Sequence, residues 1–191
     1  MIQRRKICVY SASSKDVDSD YLDAAFALGV ELARTGHAGI YGAGRQGLMG
    51  NFADGMLHAG GEVTGIIPDF MVERGWCHQG LTEVIVTPTM HERKALMAKM
   101  ADAVVALPGG CGTLEELLEI ITWKQLGLFT KPIIIFNVKG YYNNLIAMLH
   151  TAVDGGFMKA SHSELWSVAD TVPEVLSLLD TLPDMEAEDK Y

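Results

Sequence analysis

Six short apolar runs, separated by helical periods and glycine-rich turns, constrain this chain more than any other feature. They cover Ile7–Tyr10, Gly39–Tyr41, Val63–Ile67, Val84–Val86, Ala103–Leu107 and Ile133–Phe136. Such alternation marks βαβ units around a mainly parallel sheet. Between the first two runs, Leu22, Ala25, Phe26, Gly29, Leu32 and Ala33 recur at helical spacing. That segment is expected to bury one face and to stop at Gly36. A further helix is expected after Thr87-Pro88-Thr89, because Thr89 and Glu92 have the spacing of a capping box. This places Arg93 near the end of the first turn. Another helix should end at Gly155-Gly156.

The expected fold is therefore α/β, a doubly wound and mainly parallel sheet flanked by helices. At 191 residues the chain suits one domain, read as 1–182 with an acidic tail over 183–191 that frays. No apolar run approaches the roughly 18 residues of a membrane helix, so no membrane partner is expected. The start, Met-Ile-Gln-Arg-Arg-Lys, has no apolar targeting segment and suggests a cytosolic address. Cys8, Cys77 and Cys111 are far apart and form neither a disulfide framework nor a zinc pattern. A formal net charge of -9 argues against general binding to nucleic acid. Any phosphate must be captured locally.

Doubly wound sheets bind ligands at the carboxyl ends of their strands, where loops enter helix N-termini. Two glycine-rich junctions fall there. In "YGAGRQGLMG", Gly42, Gly44 and Gly47 meet the G-x-G-x-x-G pattern, and Asp69 lies about where a dinucleotide site keeps its ribose acceptor. A nicotinamide-dependent enzyme is thus one reading, and a tight turn with close helix packing is another. The pattern follows the second strand, however, whereas the first strand leads into Ser11-Ala12-Ser13-Ser14.

In "ALPGGCGTLEELLEIITWKQL", Gly109, Gly110 and Gly112 permit close backbone approach, and Thr113 adds a hydroxyl at the helix start. Free N–H groups and the positive end of the helix dipole make this a natural phosphate site. It lacks the Lys-Ser/Thr ending of a P-loop. On the helix, Leu114, Leu117, Leu118 and Ile121 are expected to face the core, with Glu115, Glu119 and Thr122 on a polar stripe. Glu116 then shares a second, partly apolar face with Ile120 and Trp123, to be covered by a partner subunit or a ligand base. A carboxylate beside a bound phosphate needs a compensating cation or a neutral target such as ribose hydroxyls. Arg93 and Lys94 of "MHERKALM" supply candidate cations, with a solvated basic pair as the alternative.

"PGGCGTLEE", from Pro108 to Glu116, with "YGAGRQGLMG", "MHERKALM" and "TWKQLGLFTKPIIIFNVKGYYNNL", resembles the LOG family, the cytokinin riboside 5'-monophosphate phosphoribohydrolases once often labelled lysine decarboxylases. The resemblance runs over almost the whole chain. It implies a Rossmann-like homodimer that hydrolyses the N-glycosidic bond of a nucleoside 5'-monophosphate, such as isopentenyladenosine monophosphate or AMP. Free base and ribose 5-phosphate are the implied products, with neither metal nor organic cofactor expected. Arg93 and Glu116 match the family's catalytic pair. Gly109, Gly110, Gly112 and Thr113 match its phosphate-binding motif, and Gly44, Met90 and Lys94 complete the expected substrate-binding set. Ala12 and Ala43 stand where many relatives have glycine, and Cys111 replaces the more usual tyrosine. A non-catalytic nucleotide or cofactor carrier is the alternative reading.

Overall fold

Side chains along β1 (Lys6–Tyr10) alternate between two cores, which is how a strand buried on both faces uses its period of two. Ile7 and Val9 join Leu28, Leu32, Phe52 and Met56 on one side of the sheet. Cys8 and Tyr10 join Met97, Leu117 and Ile121 on the other. The computed structural model describes residues 4–184. It contains one seven-stranded sheet in the order β4-β3-β2-β1-β5-β6-β7, and every neighbouring pair is parallel. The remaining strands are β2 (Ala38–Tyr41), β3 (Val63–Pro68), β4 (Glu83–Thr87), β5 (Ala103–Ala106), β6 (Ile133–Phe136) and β7 (Ser167–Ala169). All six apolar runs are strands. The seventh, Ser167–Ala169, is three residues long and is added at the edge against β6.

The helices are α1 (Ser19–Arg34), α2 (Gly47–His58), α3 (Asp69–Glu73), α4 (Met90–Met100), α5 (Cys111–Gln125), α6 (Asn143–Asp154) and α7 (Val172–Thr181). Helix α1 ends as expected. Gly36 adopts φ +83°, and the His37 N–H reaches back to the Leu32 carbonyl at 2.9 Å, closing the last turn. Two glycines let α1 lie directly on α2. A Cβ at Gly29 would sit 2.3 Å from the Phe52 carbonyl oxygen, and one at Gly55 would sit 2.2 Å from that of Phe26.

Helix α4 starts at the expected cap, with the Thr89 hydroxyl accepting the Glu92 N–H at 3.1 Å. The reciprocal half differs from a full capping box, because the Glu92 carboxylate accepts from the Thr89 hydroxyl. The facing of α5 also differs from the sequence reading. Its buried residues are Thr113, Glu116, Leu117, Ile120, Ile121 and Lys124, a regular helical stripe with two charged members. Leu118 is 40% exposed. The arc containing Glu116 and Ile120 is thus buried within this chain rather than reserved for another. Of the acidic tail, Asp184 pairs with Lys131, and residues 185–191 lie outside the described residues. No described helix is long and apolar enough to cross a membrane.

Candidate active site

The strand order reverses direction between β1 and β5, and the loops leaving these two strands part company there. Backbone bonds close the base of the fork: Leu107 N–H donates to Tyr10 at 2.9 Å, and Ala12 N–H donates to Pro108 at 3.2 Å. Above it lies a cavity of about 560 Å³. Its walls come from the loop after β1 (Ser11–Ser14), the loop after β2 (Gly44–Gln46), and the first turns of α4 and α5. A switch point of this kind is where doubly wound sheets place their ligands.

One end of the cavity is the start of α5. Gly110 is its N-cap and carries no side-chain cap, so the first-turn N–H groups have no side-chain acceptor. Gly110 and Gly112 line the cavity, and a Cβ at either would meet nothing within 4 Å. Backbone is exposed there for an anion to approach, assisted by the helix dipole. Thr113 is buried and also lines the cavity. Gly109 has a different role. It does not line the cavity; a Cβ there would fall 2.1 Å from Thr113 Oγ1, so it makes room for that threonine. Its carbonyl accepts the Tyr141 hydroxyl at 2.7 Å.

The buried pair Arg93 and Glu116 forms the cavity wall beyond this cradle. Arg93 Nη2 donates to Glu116 Oε1 at 2.5 Å, with only 6% and 8% of the two residues exposed. The basic pair on α4 is therefore not solvated. Arg93 Nη1 also contacts Met90 Sδ at 3.7 Å, while Nε has no partner among the described residues. Burial pushes the Glu116 carboxyl above the usual carboxylate range. Arg93 pulls it back, and the neighbouring Glu115 adds to the rise. Since Arg93 uses Oε1, Glu116 Oε2 is left for a ligand. Tyr10 and Cys8 lie near this carboxylate, and burial raises both well above their ordinary values, so neither is an ionised nucleophile.

Lys94 is buried too, but it turns away from the cavity to join Glu119 at 3.1 Å and, more closely, Glu115. Burial alone would lower its pKa, and the two carboxylates outweigh that effect and raise it. Its place is between α4 and α5, which carry Arg93 and Glu116. Of the residues singled out from sequence, Gly44, Met90, Arg93, Gly110, Gly112, Thr113 and Glu116 meet around the cavity, whereas Lys94 and Gly109 stand behind its wall.

The first glycine motif is explained by packing around this pair. A Cβ at Gly42 would fall 2.6 Å from Arg93 Nη2, and one at Gly44 would fall 2.8 Å from Met49 Sδ. Gly47 adopts φ +62°, and a Cβ there would lie 2.4 Å from the Ser14 carbonyl oxygen. Ala43 holds φ +58° with its side chain fully buried, a left-handed conformation that glycine adopts without strain. Asp69 is exposed, caps the Phe70 N–H and does not line the cavity, so the dinucleotide reading lacks its ribose acceptor. Sequence reasoning assigned no role to Ser13, Ser14, Arg45, Gln46, Met71 and Trp76, which also line the cavity. Of these, Ser13 and Ser14 had a readable signal, because they follow the strand beside the switch point.

The fold and the site together define a Rossmann-type nucleotide-site protein, with an anion cradle at one end of its cavity and a buried Arg–Glu pair along the wall. Residues 49–179 match the sequence model of a family described as "Possible lysine decarboxylase". Cytokinin riboside 5'-monophosphate phosphoribohydrolase LOG2 of Arabidopsis thaliana is 43% identical over 176 residues, covering 92% of this chain and 83% of that protein. The enzyme named LOG in Oryza sativa subsp. japonica is 43% identical over 183 residues, covering 95% and 76%. The chain belongs to this LOG family. Among solved structures, TM1055 superimposes with a TM-score of 0.74 at 27% identity, covering 93% of this chain and 99% of that one. The molybdenum cofactor carrier protein of Chlamydomonas reinhardtii gives 0.72 at 22% identity, covering 93% and 96%, a likeness of fold alone.

Proposed function

We propose that this chain hydrolyses the N-glycosidic bond of a nucleoside 5'-monophosphate, yielding free base and ribose 5-phosphate. The observation that carries the reading is the placement of the buried Arg93–Glu116 pair in the same cavity as the uncapped N-terminus of α5. A 5'-phosphate on the first turn of α5 puts the ribose alongside Glu116, one turn further along that helix. The relatives named as phosphoribohydrolases support the reaction class.

Cleavage breaks the bond between C1' and the base nitrogen, and water supplies the oxygen that joins C1'. Positive charge grows on the ribose as the base leaves, as in other glycosidic cleavages. The Glu116 carboxylate opposes that charge and accepts the proton lost by the attacking water. The departing base takes up one proton from solvent and Glu116 gives up the one it accepted, so neutral base and sugar form with no net proton gained or lost. Arg93 keeps Glu116 ionised despite its burial and fixes Oε2 toward the ribose.

The active species in this account is a homodimer in the cytosol. Leu118, Leu126 and Leu128 leave an exposed apolar strip on and after α5, which suits a second copy, and the three cysteines are unpaired, which suits a reducing compartment.

The test is chromatographic detection of free base after incubating the chain, without added metal, with isopentenyladenosine 5'-monophosphate, AMP and their dephosphorylated nucleosides. Release from the monophosphates alone is expected. Equal release from the nucleosides would remove the phosphate cradle from the account, and no release would move the non-catalytic carrier reading to the front.

A further inference from the structure

Trp76 is an indole at the edge of the cavity that the reaction outlined above does not use. It lines the cavity and is 43% exposed, a large apolar surface for a folded chain to leave in water. Its position is fixed from several directions. The Trp76 carbonyl accepts the Arg45 N–H at 3.1 Å, and the Trp76 N–H donates to Met71 at 3.1 Å. Cys77 forms an isolated antiparallel bridge with Gly44, and the His78 N–H donates to Ala43 at 2.8 Å. The strap that follows α3 is thereby stitched to the loop after β2. α3 itself contains no buried residue, so the strap serves as a wall of the cavity rather than as core.

One side of the indole is already occupied. The Arg74 guanidinium lies 5.1 Å from the Trp76 ring centroid and 5.6 Å from that of Phe70. This cation–π stack stiffens the ring from behind. Met71 and Met90 line the same cavity. Thioethers and an indole provide polarizable, flat contact and no strong hydrogen-bond acceptor. The anion cradle at the start of α5 occupies the polar end of the same space.

Resting on the proposed nucleotide reading, we infer that Trp76 is the platform for the base and the residue that makes the site select nucleotides over sugar phosphates. A phosphate on α5 and a ribose beside Glu116 leave the base as the remaining part of the ligand, and the indole is the flat apolar surface along the cavity. Recognition by stacking reads the face of the base rather than its polar edge. A purine carrying an apolar exocyclic group is therefore accepted along with an unsubstituted one.

The experiment measures binding rather than turnover, so that its failure is distinct from failure of the hydrolase reading. Formycin A 5'-monophosphate, whose carbon–carbon link to ribose cannot be hydrolysed, and ribose 5-phosphate, which has no base, are titrated calorimetrically into the intact chain. The same titrations follow for Trp76→Ala and Trp76→Phe, with elution volume recorded for each. Loss of a stacked base costs roughly 5- to 150-fold in affinity on alanine substitution. Trp76→Ala is expected to weaken formycin monophosphate by about 10-fold or more and to leave ribose 5-phosphate within about twofold, and Trp76→Phe should recover part of the loss. Equal weakening of both ligands would assign Trp76 a structural role and overturn the inference. Unchanged binding of formycin monophosphate, or its failure to bind the unsubstituted chain, would also overturn it. A changed elution volume in Trp76→Ala would give the indole to a partner subunit instead.

Discussion

Breaking the Arg93–Glu116 pair from its two ends should give different stability profiles with pH, because only one partner has a way to lose its charge. Removing one partner of a buried ion pair costs about 3–5 kcal/mol when the other remains charged. In Arg93→Met the stranded group is Glu116, which escapes by taking up a proton. pH 7 lies about 2.7 units above the ordinary glutamate value of about 4.3, and each unit is about 1.36 kcal/mol, so protonation limits the electrostatic cost to about 3.7 kcal/mol. The direction follows from linkage. Native Glu116 in the variant binds a proton that the unfolded chain does not, so its stability falls as pH rises. The penalty of Arg93→Met relative to the unsubstituted chain should shrink as pH is lowered from about 8 toward 6, by at most about 1.4 kcal/mol per unit. Glu116→Gln strands a guanidinium, which stays protonated throughout. Its penalty should show no such slope. Urea unfolding at half-unit pH steps, followed by circular dichroism, measures both. A flat penalty for Arg93→Met, or the same slope in Glu116→Gln, would show that protonation of Glu116 does not relieve the stranded charge.

Three further outcomes follow from the same geometry. Gly42→Ala places a methyl group 2.6 Å from Arg93 Nη2; the guanidinium must shift, and a misplacement of this size should lower kcat/KM by about 100-fold while the urea midpoint changes little. If ionised Glu116 is the working form, the acid limb of kcat/KM lies above the usual carboxylate range, since burial raises this group. Glu115→Gln should move that limb to lower pH and Lys94→Met to higher pH, which a pH–rate profile of each variant reads directly. Away from the site, burial holds Lys124 down to about 8, with Asp184 opposing. Below that value the native chain carries the cost of a buried charge, so Lys124→Met should stabilise it at pH 7 by on the order of 1–3 kcal/mol. The advantage should fade as pH rises from about 8 toward the ordinary lysine value, and denaturant unfolding at pH 7 and pH 10 checks it.

Five of the six apolar runs identified strands because a strand buried on both faces must be apolar along its length; the remaining run, Val84–Val86, is an edge strand with both valines exposed, and its β-branched residues mark it instead. β7 escaped because Ser167, Val168 and Ala169 form a short edge strand, and pairing with β6 rather than local sequence makes it one. The facing of α5 was misleading for a related reason. Glu116 falls on the face expected to await a partner subunit or a ligand base, yet it is buried within this chain. Glu116 is tolerated inside because Arg93, 23 residues away in sequence, meets it there. Leu118 stands outside where the apolar pattern placed it in the core.

Candidate site residues were legible where a motif lies directly on a loop at the switch point, as with Gly110, Gly112 and Thr113. Adjacent glycines of one motif nevertheless do different things: Gly109 accommodates a side chain, whereas Gly110 and Gly112 expose backbone. Trp76 was invisible, since its place depends on a strap returning to the loop after β2. No local pattern encodes that return.

The most direct test is a proton and phosphorus NMR time course of isopentenyladenosine 5'-monophosphate with the intact chain and with Glu116→Gln. Free base and ribose 5-phosphate are expected in equal amounts, with no inorganic phosphate and no conversion by the variant. Inorganic phosphate appearing with intact nucleoside, or conversion that survives Glu116→Gln, would contradict glycosidic hydrolysis through Glu116.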